Sequence, residues 1–189
     1  MGHTSKLTTS GIPVTSSQFR DFLEESTLSD IQGQDKVFLL VIGGSASGKN
    51  YIFDKNFTLP LVDVDAITKK LSGGDFEKAQ KMITKAIKVA GSQIEDSLQR
   101  GMSIAQVTTG AGAKGVENKF KKAKAAGFTT ALILVDTPLE TALERNKARA
   151  QKGKQGLIPD WKVEKTNRGA RDTFKQLRGK VDLELVINN

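Results

Sequence analysis

Gly43, Gly48 and Lys49 lie in the run VFLLVIGGSASGKN, Val37 to Asn50, at the spacing G-x-x-x-x-G-K-[ST] of a phosphate-binding loop. In such a loop the backbone N–H groups of Gly43, Gly44, Ser45, Ala46, Ser47 and Gly48 wrap phosphate oxygens, and the lysine ammonium reaches the terminal phosphates. Asn50 stands where a Ser or Thr hydroxyl ordinarily ligates Mg²⁺. An amide oxygen is also a hard donor, so Asn50 is a candidate metal ligand, with more of the coordination left to water and phosphate oxygens. A plain Gly/Ser surface turn is the other reading of this stretch. The apolar strand before it and the helix after it favour the phosphate loop.

Further along, LPLVDVDAI (Leu59 to Ile67) reads as a short strand ending in two carboxylates. Asp63 and Asp65 stand at i, i+2, on the same side of an extended segment, where a strand's C-terminal end offers groups to a neighbouring phosphate site. Asp65 is also placed to cap a helix from Ala66 to Leu71. Thr108 and Thr109 close a third strand, Met102 to Gly110, and their hydroxyls are candidates for substrate binding or for turn chemistry. Asp136, which ends a fourth apolar run, reads as structural: DTPLE fits a helix start with Thr137 as N-cap, Pro138 at N1 and Glu140 at N3.

Composition narrows the chemistry. The chain of 189 residues is 38% hydrophobic, enough for one globular domain, has no cysteine, and has a single histidine, His3. Disulfide scaffolds, thiol nucleophiles, cysteine-rich zinc sites and a histidine base are excluded, so any general base is a carboxylate or a lysine. There is no apolar run near the ~18 residues of a membrane span and no signal-peptide pattern, so a cytoplasmic location is expected, the host cytoplasm if the protein is viral. The net charge is +8, and between Arg145 and Lys180 twelve Lys and Arg stand against three acidic residues. That surface attracts polyanions, unless it is only a solvated face that keeps the protein soluble.

The elements that must position these residues alternate. Strands are expected at Lys36–Ile42, Leu59–Ile67, Met102–Gly110, Thr129–Val135 and Val181–Ile187. Helices are expected from Lys49 toward Phe57, Ala66–Leu71, Asp75–Gln99, Gly115–Ala126, Pro138–Gln151 and Asp160–Arg178. Such alternation predicts a five-stranded parallel sheet covered on both faces, a three-layer α/β sandwich with its functional edge at the strands' C-terminal ends. In the long helix, Phe76, Ala79, Ile83, Ala86, Ile87, Ala90, Ile94 and Leu98 recur at helical spacing as one buried face. Lys78, Lys81, Lys85 and Lys88 lie opposite, and Gly91 marks a kink or a close contact. Residues 1–35 read as a polar tail with a short docking helix around Phe19, Phe22 and Leu23. Residues 36–189 form the domain, with a basic lid at about 150–160; Trp161, just after it, reads as an anchor of the lid helix ahead of a stacking surface for a base.

On these motifs, the chain resembles the P-loop kinases, most closely the kinase domain of the phage polynucleotide kinases and the related zeta-toxin group. Asp63-Val64-Asp65 is similar to that family's D/N-x-D element, in which the last aspartate is the general base. Thr108-Thr109 is similar to its substrate-holding strand end, and Arg145-Asn146-Lys147-Ala148-Arg149 to its R-N-x-x-R helix leading into a Pro-containing lid, here with Pro159. The resemblance implies an ATP-dependent phosphotransferase that uses Mg²⁺. Lys49 and Gly43–Gly48 would hold the phosphates, Asp65 would be the base, and Arg149, joined by Arg145 and by Lys152 or Lys154, would close on the transferred group. It implies a hydroxyl acceptor on nucleic acid, DNA favoured: a 5′-OH end or a hydroxymethylated base such as 5-hydroxymethyluracil. A small nucleotide, nucleoside or nucleotide sugar is the alternative acceptor. A nucleotide-dependent nucleic-acid-binding module without phosphotransfer is the alternative of another class.

Overall fold

The computed structural model describes residues 16–110, 112–153 and 156–189, so the expectations for residues 1–15, His3 included, and for Lys154 lie outside the described residues. Five strands, β1 (Val37–Ile42), β2 (Leu61–Asp63), β3 (Ile104–Thr108), β4 (Thr129–Asp136) and β5 (Leu183–Asn188), form one all-parallel sheet in the order β2-β3-β1-β4-β5. The near-continuous apolar runs of β1 and β4 take the interior places, since a parallel strand covered on both faces exposes no polar side. Alternation along β1 divides the core. Phe38, Leu40 and Ile42 face α4 (Phe76–Gln99), α5 (Ala113–Ala125) and α7 (Asp160–Leu177), and Val37, Leu39 and Val41 face α1 (Ser16–Gln32) and α2 (Lys49–Asn56). Phe38 meets Phe120 of α5 edge-on, with ring centroids 5.7 Å apart.

Strand register sets the site's position. Ile42 pairs with Thr108 and Asp63 with Val107, so the phosphate loop after β1, the carboxylates after β2 and the threonines after β3 leave the sheet at one edge.

Several local expectations are corrected. β2 ends at Asp63, and α3 (Val64–Ser72) starts at once; Asp63, not Asp65, is its N-cap, accepting from the N–H of Asp65 at 2.8 Å and of Ala66 at 3.4 Å. The carboxylates therefore do not share one side of a strand. α6 (Leu139–Gln151) begins one residue later than expected, with Pro138 at the cap position, and Thr137 turns its hydroxyl elsewhere. In α4 the predicted apolar face is buried only in part. Ala86, Ala90, Ile94 and Leu98 are in the core, whereas Ile83 is 36% and Ile87 56% exposed. The helix runs unbroken through Gly91, where an added Cβ would meet nothing within 4 Å, so no close contact explains that glycine. Trp161 is 64% exposed and anchors nothing. α1 docks through Leu28 and the fully buried Ile31, near its C-terminal end, whereas Leu23 is exposed. Among the described residues no helix is long and apolar enough to cross a membrane.

Candidate active site

The glycines of the loop are dictated by how closely the chain is packed around it. A Cβ on Gly43 would lie 2.7 Å from the Val135 carbonyl oxygen and 2.6 Å from Ser47 Oγ. One on Gly44 would lie 2.7 Å from Asn167 Cα, a backbone atom that cannot swing aside. Gly48 has φ of 87°, in the left-handed region, and the Asn189 amide occupies the space a side chain there would need. Ala46, with φ of 61°, is the single non-glycine of positive φ among the described residues, so the loop carries backbone strain that its surroundings must hold.

Those surroundings come from far along the chain. Thr137 Oγ1 donates to the Ser47 carbonyl at 3.0 Å, and Asn189 Nδ2 donates to the same oxygen at 2.8 Å. Thr166 Oγ1 accepts the Ser45 N–H at 3.0 Å, while the buried Asn167 donates to the Thr137 carbonyl at 2.9 Å. Sequence reasoning gives Thr137 only a helix cap and gives the other three no role. A signal existed for Asn167: it falls at helical spacing among the buried Val163, Ala170 and Phe174, and a polar residue on a buried stripe must have a partner. Asp136 pairs with Arg171 at 2.6 Å, in line with its structural reading.

A cavity of about 440 Å³ opens over the loop. Ser45, Ala46, Gly48, Lys49 and Asn50 line it from below, Asp63 and Asp65 from β2 and α3, Thr108 and Thr109 from β3, and Arg149 from α6. Gly43, Gly44 and Ser47 are buried beneath this surface, where they shape the loop. Arg145 does not line the cavity; its guanidinium lies beside Gly48, 3.6 Å from where a Cβ would be. Lys152 lies outside the cavity as well.

Lys49 lies across the loop, its Nζ donating to the Gly44 carbonyl at 2.7 Å. Burial pulls its pKa from 10.5 to about 8, and Arg149 adds to the depression, while Asp65 and Asp63 oppose it. Desolvation also raises Asp65 above the ordinary carboxylate range, Asp63 raises it further, and Lys49 and Lys162 partly restrain it. The two aspartates differ in what they are free to do. Asp63 spends one oxygen on the α3 cap and the other on Asn50 Nδ2 at 2.7 Å. The Asp65 carboxylate makes no hydrogen bond or ion pair among the described residues and borders the cavity.

Asn146, buried between the two arginines of its motif, clamps the chain beyond α6: its Nδ2 donates to the Ile158 carbonyl at 2.7 Å, and its Oδ1 accepts the Ile158 N–H at 3.3 Å. Ile158 thereby becomes a wall of the cavity.

A family model described as an AAA domain matches residues 38–172. No curated protein is significantly similar in sequence. Among solved structures, a candidate kinase of Chloroflexus aurantiacus is 19% identical, with a TM-score of 0.60 over 82% of this chain and 89% of that one. A chain of the PezAT chromosomal toxin–antitoxin system of Streptococcus pneumoniae is 17% identical, with a TM-score of 0.64 over 92% of this chain and 76% of that one. A chain of the Pnkp1/Rnl/Hen1 RNA repair complex is 16% identical, with a TM-score of 0.60 over 78% of this chain; the match spans about half, 48%, of that longer chain. At these identities the likeness is one of fold. With the loop, its helix and the five-stranded parallel sheet lying largely within the matched residues, this chain belongs to the AAA domain family and has a P-loop kinase-like fold.

Proposed function

We propose that the protein is an ATP-dependent kinase that transfers the γ-phosphoryl group to a hydroxyl. The observation that carries this reading is that Lys49, drawn across the loop, Asp65, whose carboxylate has no partner among the described residues, and Arg149 border one cavity above a strained glycine loop. The loop Gly43–Gly48 and Lys49 hold the β- and γ-phosphates. Asp65 takes the proton of the attacking hydroxyl, and its raised pKa suits a base that must accept a proton near neutral pH. Arg149 neutralises charge on the transferred group, and Arg145 supports the loop at Gly48. Thr108, Thr109 and Asp63 border the space in which the acceptor meets the phosphate.

Mg²⁺ fits the oxygen donors of the site. With Asn50 Nδ2 given to Asp63, the Asn50 amide oxygen is the protein group that would hold it, and water and phosphate oxygens would complete its coordination. Bound there, it would screen phosphate charge. Among the described residues no cluster of three or more His, Cys, Asp or Glu builds a metal cage.

The basic surface from Arg145 to Lys180 favours a nucleic-acid acceptor, DNA first: a 5′-OH end or a hydroxymethylated base, with a small nucleotide, nucleoside or nucleotide sugar as second choice. Transfer from γ-labelled ATP to 5′-OH DNA, hydroxymethylated DNA and free nucleotides or nucleosides tests the reading. Label on a DNA acceptor supports it, label on free nucleotides alone removes the polymer, and ATP binding without any labelled acceptor leaves a non-catalytic nucleotide-binding module.

The clamp at Ile158 gives a further expectation. Asn146→Ala removes both bonds to the segment closing the cavity, so water reaches the phosphate more readily. The ratio of ATP hydrolysis to acceptor phosphorylation should rise roughly tenfold, measured as free phosphate against labelled acceptor. An unchanged ratio would show that Asn146 is only a packing residue.

A further inference from the structure

The cleft has a second lobe to which the assignments above give no role. A cavity of about 540 Å³ lies beyond the Asp63–Asp65 turn, between α3, α4 and residues 156–159. It shares Asp63, Val64, Asp65 and Ile158 with the first cavity, so Asp65 borders both. Its size falls within the roughly 300–1,000 Å³ of small-molecule sites. Two kinds of wall enclose it. Ala79, Ile83, Leu157 and Pro159 are apolar, and the exposure of Ile83, at a position whose helical period belongs to the core, is explained by its facing this lobe. Lys69 and Lys162 also line the lobe, and neither makes an ion pair among the described residues. Asp63 makes no ion pair with either lysine among the described residues; its oxygens accept from Asn50 and the α3 cap.

An apolar wall beside two unpaired ammonium groups suits a molecule with a flat apolar face and an anionic group of its own. A hydroxyl of that molecule must also reach Asp65. One nucleotide unit combines all three. Resting on the kinase reading, we propose that this lobe is the acceptor site and receives a single nucleotide unit, its base against Ile83, Leu157 and Pro159 and its phosphate between Lys69 and Lys162. The acceptor oxygen forms a new bond to the γ-phosphorus of ATP as the bond from that phosphorus to the β–γ bridging oxygen breaks. The acceptor proton passes to Asp65, and ADP leaves. The unit is either a free mononucleotide or a nucleotide of a strand; a base inside a duplex enters only by leaving its stack.

The test is equilibrium binding to the intact protein with the loop saturated by ADP, read by the fluorescence of the single tryptophan, Trp161, next to Lys162. Nucleoside 3′- and 5′-monophosphates, the matching nucleosides and short single strands are titrated in parallel. Monophosphates should bind roughly tenfold or more tightly than nucleosides, and the double variant Lys69→Ala/Lys162→Ala should erase that difference. A thermal melt confirms that the variant is folded. Equal binding of nucleosides and monophosphates, a preference that survives in the double variant, or no binding of either would overturn the proposal. Preference for strands over free monophosphates assigns the unit to a polymer, and the reverse assigns it to the free pool. Lysine-dependent binding without phosphate transfer from ATP would keep the lobe and remove the kinase reading, so the two can fail separately.

Discussion

Asp65→Asn is expected to lower phosphotransfer turnover about a thousandfold while ATP binding persists. The size follows from the roughly 10²–10⁴ that a positioned general base contributes. The substitution keeps the shape of the side chain and removes only its ability to take a proton. Since the Asp65 side chain makes no hydrogen bond or ion pair among the described residues, no structural bond is lost. The pH profile adds a second readout. Burial and the charge of Asp63 hold the carboxyl above the ordinary aspartate range, so wild-type turnover should fall on its acid side at a pH above that range, and the variant's residual turnover should lack that limb. Near-full turnover in the variant would remove Asp65 as the base. Asp63→Ala should behave differently, weakening α3 by about 1 kcal/mol through loss of its cap.

Lys49→Met should weaken ATP binding and lower kcat/KM by roughly 10²–10³, because the ammonium that crosses the loop to meet the phosphates is lost. The pH dependence separates this from a folding defect. The Lys49 pKa is 10.5 when unperturbed and about 8 in the folded protein, so the folded state prefers the neutral amine. Its contribution to stability is therefore unfavourable below pH 8, by an amount on the order of 3 kcal/mol, and disappears as pH rises toward 10.5. A phosphate over the loop favours the ammonium and offsets that cost. ATP affinity of the wild type should then be flat below pH 8 and decline above it, approaching tenfold per unit. The Met variant should be weak and flat throughout, as calorimetry from pH 7 to 9.5 would show. A wild-type affinity independent of pH over that range would mean that Lys49 does not meet the phosphates.

Much of this architecture was legible because it is written locally. The apolar runs of β1 and β4, the loop spacing and the periodicities of the helices each occupy one short window, and strand–helix alternation leaves few arrangements for a parallel sheet. Legibility failed where a residue's role depends on distant chain. Thr137, Thr166 and Asn189 hold Ser45 and Ser47 across 90 to 142 residues of sequence, and no local pattern distinguishes them from surface polar residues. Asp63 and Asp65 have equal preference for a helix cap, and the choice falls to where β2 ends, which pairing with β3 decides. Ile83 and Ile87 satisfy the helical period yet face the cleft, because periodicity marks an apolar face without saying whether protein or ligand covers it.

Ile158 belongs to both cavities and is held by Asn146 alone among the buried polar side chains. On the assignments proposed above, a wall common to two ligands couples their binding. Whichever occupant arrives first restrains the segment, and the second then meets a surface already ordered. Linkage requires the gain to be mutual, so the factor by which nucleotide tightens acceptor binding must equal the factor by which acceptor tightens nucleotide binding.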